Sequence, residues 1–555
     1  MAKKQHKYIF VIGGVMSGVG KGITTSSIGR VLQSKGFVVN PIKVDPYLNV
    51  DAGTMNPTEH GETFVLRSGL ETDQDMGNYE RFLGKDLRDE NYVTSGMVYK
   101  TVIEKERSFQ YDGKCVEAYP YIRDEIISRI KKSARLNKAD ITIVEIGGTV
   151  GDYQNIMFIE AARVMHTRNP EDVVFVMVSF LPIPRKLGEM KTKPTQNAVR
   201  QLNSYGVQPD IIIGRSSEPL DRKRKEKIAL QCNVSMKDVI SAPDLDSVYD
   251  GPLDIEKGKV GEQILEKLNM KRSAGRKSDL AAWRAFAKSA KTAKKEINIA
   301  VVGKYFDTGD FVLADAYVSV IEALKYSSYR YKAAPKLHWI NSKHFEDGTL
   351  KVSSLKDFDG IVVPGGFGST GIAGIIKAIK YAREHKIPYL GLCYGMQLAV
   401  VEFARSVMKL RGAETYEINP NAKNLVVDIM PEQRELLKNK NYGGTMRLGI
   451  YPAKIAKNTL AYKLYKANKT EERHRHRYEI NLDYVADLEA AGMIFSGRSP
   501  DGMLMEIMEL PKSEHPFFLG TQFHPELQSR PLDPHPIFNG FIKAVIKHSE
   551  EADSA

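Results

Sequence analysis

Two short apolar runs, YIFVIGG from Tyr8 and INIAVVGKY from Ile297, each run into glycine and open a fresh alternation of strands and helices. No other feature constrains the fold as strongly. The first is followed by ADITIVEIGG, VVFVMVSFLP and PDIIIGR, and the second by FDGIVVPGG and IPYLGLC. Short apolar strands alternating with amphipathic helices predict an α/β chain of two doubly wound domains, each built on a parallel sheet covered on both faces. At 555 residues the chain is too long for a single core, since domains average about 150 residues.

The boundary between the two is basic. From Lys267 to Lys295 ten Lys or Arg stand against one acid, Asp279. Within that stretch Leu280, Trp283, Phe286, Ala287 and Ala290 share one helical face, which predicts a docked helix with its lysines in water. The expected organisation is a first domain over 1–270, a basic linker with a helix over 271–296, a second domain over 297–546 and a flexible tail over 547–555. No run of about 18 apolar residues is present to cross a bilayer. The basic amino terminus does not read as a secretory signal, because glycines interrupt its apolar run. Cys115, Cys232 and Cys393 lie far apart with no CxxC pair, which argues against disulfides and zinc and for the reducing cytoplasm. The net charge of +12 favours polyanionic company, whether nucleotides, nucleic acid or acidic surfaces.

GGVMSGVGKGITTSS, residues 13–27, follows the first strand and opens a helix. Glycines let backbone N–H groups converge on phosphate oxygens, the helix start adds its positive end, and Lys21 supplies a mobile cation. The loop departs from a strict Walker A pattern: Val15 stands where a glycine is expected, and Gly22 follows Lys21 in place of Ser or Thr. With that hydroxyl missing, carboxylates must carry more of any magnesium. Glu145, near the end of ITIVEI, and Glu71, Asp73 and Asp75 in ETDQDMG are the candidates.

Cys393 lies in Gly391-Leu392-Cys393-Tyr394-Gly395, between an apolar strand and a helical pattern. That is a G-x-C-x-G form of the nucleophile elbow, where a helix amino terminus favours the reactive thiolate. TQFHPELQS offers His524 and Glu526 two residues apart, so that on an extended segment both face one side and the carboxylate orients the imidazole. Gly365 and Gly366 provide backbone N–H groups that could join that of Tyr394 around an oxyanion.

KVDPYLNVDAGTMNPTEHGE, ETDQDMGNYERF, VEIGGTVGD, KTKPTQ and KIALQCNV occur in the order found in the CTP synthase family, which the chain resembles over nearly its whole length. Its second half resembles class I glutamine amidotransferase domains. The resemblance implies an ATP-dependent amination of UTP to CTP through a 4-phosphorylated UTP, with ammonia from glutamine supplied by Cys393, His524 and Glu526. It implies ATP on Ser17, Gly18, Val19, Gly20, Lys21, Gly22 and Asp75, and magnesium on Asp75 and Glu145. UTP, or the product CTP as inhibitor, falls to Ser17, Asp152, Tyr153, Gln154, Lys191, Thr192, Lys193, Pro194, Thr195, Gln196 and Lys227. Glutamine falls to Gly366, Tyr394, Gly395, Met396, Gln397, Glu417 and Arg477. GTP is implied as an allosteric activator acting near Arg447, and a homotetramer, in some members a filament, as the assembly. Gln154 and Gln231 stand where the family carries an acid and an aromatic, which puts CTP feedback in doubt. RHRHR, ending at Arg477, reads by itself as a basic surface run. The alternatives are a different glutamine-dependent ATP ligase, an inactive structural nucleotide binder, and nucleic-acid binding driven by charge.

Overall fold

The computed structural model describes residues 6–186, 188–271, 280–304, 307–308, 311–312, 314–438 and 443–554. Part of the expected linker, 272–279, lies outside them. The chain divides into two compact units, one of residues 1–51 and 78–287 and the other of residues 52–77 and 288–555.

The first unit carries β1 (Lys7–Gly14), β2 (Val39–Asp45), β3 (Tyr92–Thr94), β4 (Ile141–Ile146), β5 (Val173–Phe180), β6 (Ile211–Ser216) and β7 (Val239–Pro243). They form one sheet in the order β3-β2-β4-β1-β5-β6-β7, every pair parallel. Ile9, Phe10, Val11 and Ile12 of β1 are all within 2% of full burial, as a strand covered on both faces requires. The strand order reverses around β1, and that switch point is where ligands of open α/β sheets collect. Helix α1 (Lys21–Ser34) follows β1 directly.

Helix α2 (Leu280–Thr292) buries Leu280, Trp283, Phe286 and Ala287 of the face foreseen for it, and Ala290 near its end is half-buried. The Trp283 indole donates to the Tyr249 carbonyl (2.7 Å) and packs on Phe82 with ring centres 4.9 Å apart. Burying side chains of this size stabilises by roughly 2–3 kcal/mol each.

The second unit carries β8 (Lys295–Gly303), β9 (Ala333–Asn341), β10 (Gly360–Val363), β11 (Tyr389–Leu392), β12 (Arg447–Ile455), β13 (Lys469–His476), β14 (Ile494–Arg498), β15 (Met505–Glu509) and β16 (Phe518–Thr521). The sheet order is β9-β8-β10-β11-β16-β15-β14-β12-β13. The five strands from β9 to β16 are parallel, and from β15 outward the pairing turns antiparallel. That antiparallel wing was not foreseen, because its charged strands lack the apolar runs that mark a doubly covered sheet.

The wing explains RHRHR. Arg473, His474 and His476 are buried on β13, not a basic surface run, and each finds a partner inside the unit. Residues 52–77 are held against the same unit at three points. Glu62 accepts from the Ser319 backbone N–H (3.0 and 3.1 Å) at the first turn of α3 (Val318–Arg330), Arg473 donates to the Val65 carbonyl (3.1 Å), and Arg475 pairs with Glu71 (2.8 Å). The first of these is a carboxylate at a helix amino terminus, where the backbone dipoles favour it.

Candidate active site

Three adjacent parallel strands end at one place in the second unit. Gly365 and Gly366 follow β10, Cys393 follows β11, and His524 follows β16, so the carboxyl edge of the sheet delivers all three pieces. Cys393 caps α4 (Tyr394–Ser406) with φ 49° and ψ −97°, a left-handed backbone that a non-glycine residue adopts only under constraint. The constraint is visible. Its N–H donates to the Thr521 carbonyl (2.6 Å), and its carbonyl accepts from the Gln397 N–H (3.1 Å). The flanking glycines are required by close approach: a Cβ at Gly391 would meet the Gly395 carbonyl carbon at 2.7 Å, and one at Gly395 the Val363 oxygen at 2.3 Å. The elbow motif is thus a packing requirement written in sequence.

His524 Nδ1 lies 2.6 Å from Glu526 Oε1. The segment is not extended as expected. Pro525 starts a 3-10 turn over Pro525–Gln528 with His524 as its cap, and this turn brings the carboxylate back under the ring. His524 Nε2 is buried without a hydrogen-bond partner, and so is Glu526 Oε2. Burial by itself would lower the imidazole pKa, but the charges of Glu526 and Cys393 overcome it and raise it to about 10. That is the electrostatics of a buried imidazolium held by acidic neighbours. A Cβ at Gly365 would stand 2.9 Å from His524 Cε1, so this glycine makes room for the ring. Gly365, Gly366, Cys393 and His524 line one cavity, closed on a further side by Glu62 and Thr63 of residues 52–77.

The residues assigned to glutamine fall into two groups. Gly366 lines the cavity, while the Tyr394 side chain is buried, its hydroxyl donating to the Gly368 carbonyl (3.0 Å). Glu417 accepts from the Gly368 N–H (2.6 Å), and burial raises its carboxyl above the ordinary range against that hydrogen bond. Gly395 and Met396 turn into the core and offer a ligand only backbone. The Gln397 amide donates to the Tyr478 carbonyl (3.0 Å), and Arg477 reaches Gln433 (2.6 Å) and Thr445 (3.0 Å) instead of the cavity. Arg447 is committed to Glu506 (2.8 Å) and Glu479 (3.3 Å).

Two residues that sequence reasoning missed belong here. Lys304 donates to the Gly368 carbonyl (2.5 Å), with its pKa pushed down to about 8 by burial, and Gln522 donates to the Cys393 sulfur (3.6 Å). A lysine directly after the glycine that ends β8 and the Q-x-H spacing were the available signals.

In the first unit the loop after β1 is largely exposed at Ser17 and Gly18, with Val19 buried and Gly20 (φ 84°) capping α1. Val15 adopts φ 80°, the conformation that the missing glycine would adopt freely. Lys21, with Gly22 behind it in the helix, donates to the Gly148 carbonyl (2.7 Å) across a gap that a Cβ at Gly13 would fill. Glu145 pairs in register with Val11 of β1 and Lys43 of β2. It accepts from the Tyr79 hydroxyl (2.6 Å) and from Lys43 (3.4 Å), a cation that the sequence did not single out. Asp75 belongs to the second unit's share of the chain, its N–H donating to Asp73 (2.8 Å). Glu71 pairs with Arg475 through one carboxylate oxygen (2.8 Å).

Asp152 accepts from the Thr149 N–H (2.7 Å), while Tyr153 and Gln154 stand exposed beside Leu48 and Tyr99 at a cavity of about 770 Å³. Lys191 pairs with Glu189, Thr192 caps the helix Lys193–Ser204 that Pro194 starts, and Gln196 donates back to Thr192 (3.0 Å). Thr195 is buried on Ser179 (2.8 Å), and Lys227 is exposed. Among the described residues no three His, Cys, Asp or Glu side chains cluster as a metal site, and none of the helices is long and apolar enough to cross a membrane.

Residues 7–270 match the family described as CTP synthase N-terminus, and residues 312–544 match glutamine amidotransferase class-I. The chain is similar to the CTP synthase of Caldanaerobacter subterraneus subsp. tengcongensis, 49% identical over 541 residues, which covers 97% of this chain and 98% of that one. It is also similar to the CTP synthase of Pyrococcus abyssi, 48% identical over 550 residues and 99% of both chains.

Proposed function

This chain belongs to the CTP synthase family, and we propose how its residues divide the ATP-dependent amination of UTP with ammonia from glutamine. Cys393 sulfur attacks the glutamine side-chain carbonyl, and the N–H groups of Gly366 and Tyr394 receive the oxyanion. The C–N bond breaks as His524 gives its proton to the leaving nitrogen, which departs as ammonia. Water then attacks the thioester, His524 takes its proton, and glutamate leaves with the sulfur restored as thiolate. Glu526 keeps the imidazole oriented throughout.

In the first unit the loop through Gly22 cradles the ATP phosphates, with Lys21 and Lys43 placed to bear their charge. UTP is held by Lys191 to Gln196, Lys227 and Asp152 to Gln154. Glu145, a buried hard-oxygen donor beside Lys43, would hold Mg2+, which neutralises phosphate charge when bound, and a metal role for Asp75 rests on the family resemblance alone. Few protein carboxylates suit an ion that takes most of its ligands from phosphates and water. GTP as activator, CTP as inhibitor and the cytoplasm as location belong to this reading. A homotetramer draws support from the exposed Leu48, Tyr99 and Tyr153, which line one cavity of the first unit and are apolar surface of the kind that assemblies cover. The proposed division is a synthase domain over 1–270, a linker over 271–296 and a glutaminase over 297–546.

The observation that carries the glutaminase assignment is the buried His524–Glu526 pair beside a strained Cys393. Its test is Cys393→Ala. Glutamine-dependent CTP formation should fall by at least about a thousandfold, while synthesis from ammonium salts persists. Loss of both in a folded variant would show that Cys393 is not confined to ammonia supply.

A further inference from the structure

The sulfur of Cys393 meets two polar neighbours of opposite preference. The Arg475 carbonyl, 3.9 Å away, can only accept and so favours the S–H form. The Gln522 amide nitrogen, 3.6 Å away, donates. Gln522 is completely buried, and it stands two residues before His524 on the stretch leaving β16, so both side chains turn to the same side while Phe523 between them enters the core.

Which end of the Gln522 amide faces the sulfur is settled by a chain of donors and acceptors. The Tyr478 carbonyl can only accept, so it fixes the amino group of Gln397 towards itself (3.0 Å). That amino group also lies 3.3 Å from Gln522, where it needs an acceptor, so the Gln522 oxygen faces Gln397. The Gln522 amino group is thereby left for the sulfur. Three buried groups transmit the polarity of one backbone carbonyl to the nucleophile.

We propose that Gln522 is a catalytic hydrogen-bond donor that holds the Cys393 sulfur in its anionic form before attack and again as the group expelled when the thioester is hydrolysed. In the first role it favours the nucleophilic form. In the second it stabilises the negative charge that returns to sulfur as the C–S bond breaks, with no change in proton count beyond that carried by His524. A donor to an ionised atom is worth about twice a neutral hydrogen bond, so its removal should be visible in titration. The other charged groups around the cavity are His524 and Glu526 after β16, Arg475 on β13 with its guanidinium on Glu71, and Glu62 of residues 52–77. None of these is altered by substitution at position 522.

The inference rests on Cys393 being the nucleophile. Its test is the pH dependence of iodoacetamide alkylation read by mass at Cys393, which separates it from the exposed Cys115. In Gln522→Leu the midpoint should move up by about one pH unit, and glutamine-dependent turnover should fall about tenfold with ammonium-dependent synthesis kept. Gln522→Asn retains an amide but falls short of the sulfur, and should shift the midpoint in the same direction. A profile that overlays the wild type in either folded variant overturns the proposal, as does failure of both variants to fold, which would make Gln522 purely structural. If Cys393→Ala still hydrolysed glutamine, the nucleophile assignment itself would fall. If that variant is inactive and the Gln522→Leu profile is unchanged, only this inference falls.

Discussion

Two strand–turn–helix junctions, one in each unit, place a non-glycine residue at positive φ: Val15 at 80° after β1 and Cys393 at 49° after β11. They use that geometry to opposite ends. At Cys393 the turn is buried, pinned by Thr521 and Gln397, and surrounded by groups already engaged with one another. At Val15 the turn is exposed, and the loop beyond it presents backbone with few side chains of its own. Covalent chemistry needs its nucleophile, base and oxyanion donors held before substrate arrives. A phosphate cradle takes its final order from the polyanion it binds.

Lys21→Ala separates the two junctions most strongly. If the cradle works by charge delivered to bound phosphate, synthesis should fall about a thousandfold with glutamine and with ammonium alike, at a nearly unchanged thermal midpoint. Initial rates with each nitrogen source, together with calorimetry, decide it. Wild-type rates would remove the loop from the reaction. A large drop in the midpoint would mean that the Lys21–Gly148 contact is structural, and the two junctions would then be alike.

The junctions themselves were legible in the sequence because each is a local matter: an apolar strand, small residues where backbone comes close, and a helix. Gly391 and Gly395 could be read as an elbow since no other residue fits the contacts they make. Lys43 was not legible, since it reaches its site across strands distant in sequence and carries no local pattern, whereas Lys304 and Gln522 carried only short ones, a lysine after a strand-ending glycine and the Q-x-H spacing, that do not say what each side chain touches. The membership of residues 52–77 in the second unit was hidden for a related reason. Its three attachments, Glu62 to Ser319, Val65 to Arg473 and Glu71 to Arg475, pair short polar motifs more than 250 residues apart. Periodicity reports that a face is buried, but not what buries it. The 3-10 turn at Pro525 was within reach, since proline after a polar residue favours a helix start.

Glu526→Gln should have the next largest effect, confined to the elbow. With its charge removed, the support that raises His524 to about 10 is weakened, so the imidazolium loses its proton at lower pH. Glutamine-dependent turnover should fall about a hundredfold and the alkaline limb of its pH profile should move down, with ammonium-dependent synthesis unaffected. The sign on stability follows. A histidine whose folded pKa lies above its unfolded value of about 6.5 stabilises fully below that pH and loses its contribution as pH rises towards 10. Between those limits Glu526→Gln should therefore decline less steeply in thermal midpoint than the wild type. Parallel slopes would mean that Glu526 orients the ring without charging it.

The smallest expected effect tests the other junction. A β-branched residue at φ 80° costs of order 1–3 kcal/mol, whereas glycine adopts that angle freely and costs about 0.5–1 kcal/mol in unfolded-state entropy. Val15 is 38% exposed, so truncating it gives up little packing. Val15→Gly should therefore stabilise by about 1 kcal/mol, a rise of roughly 2–4 °C in the transition of a unit of this size, with synthesis rates within about twofold of wild type. The corresponding relief at Cys393 is unattainable, because the strained residue there is the nucleophile. Should Val15→Gly lower the midpoint, the valine is held by contacts worth more than its strain, and the phosphate loop would share with the elbow the rigidity that now separates them.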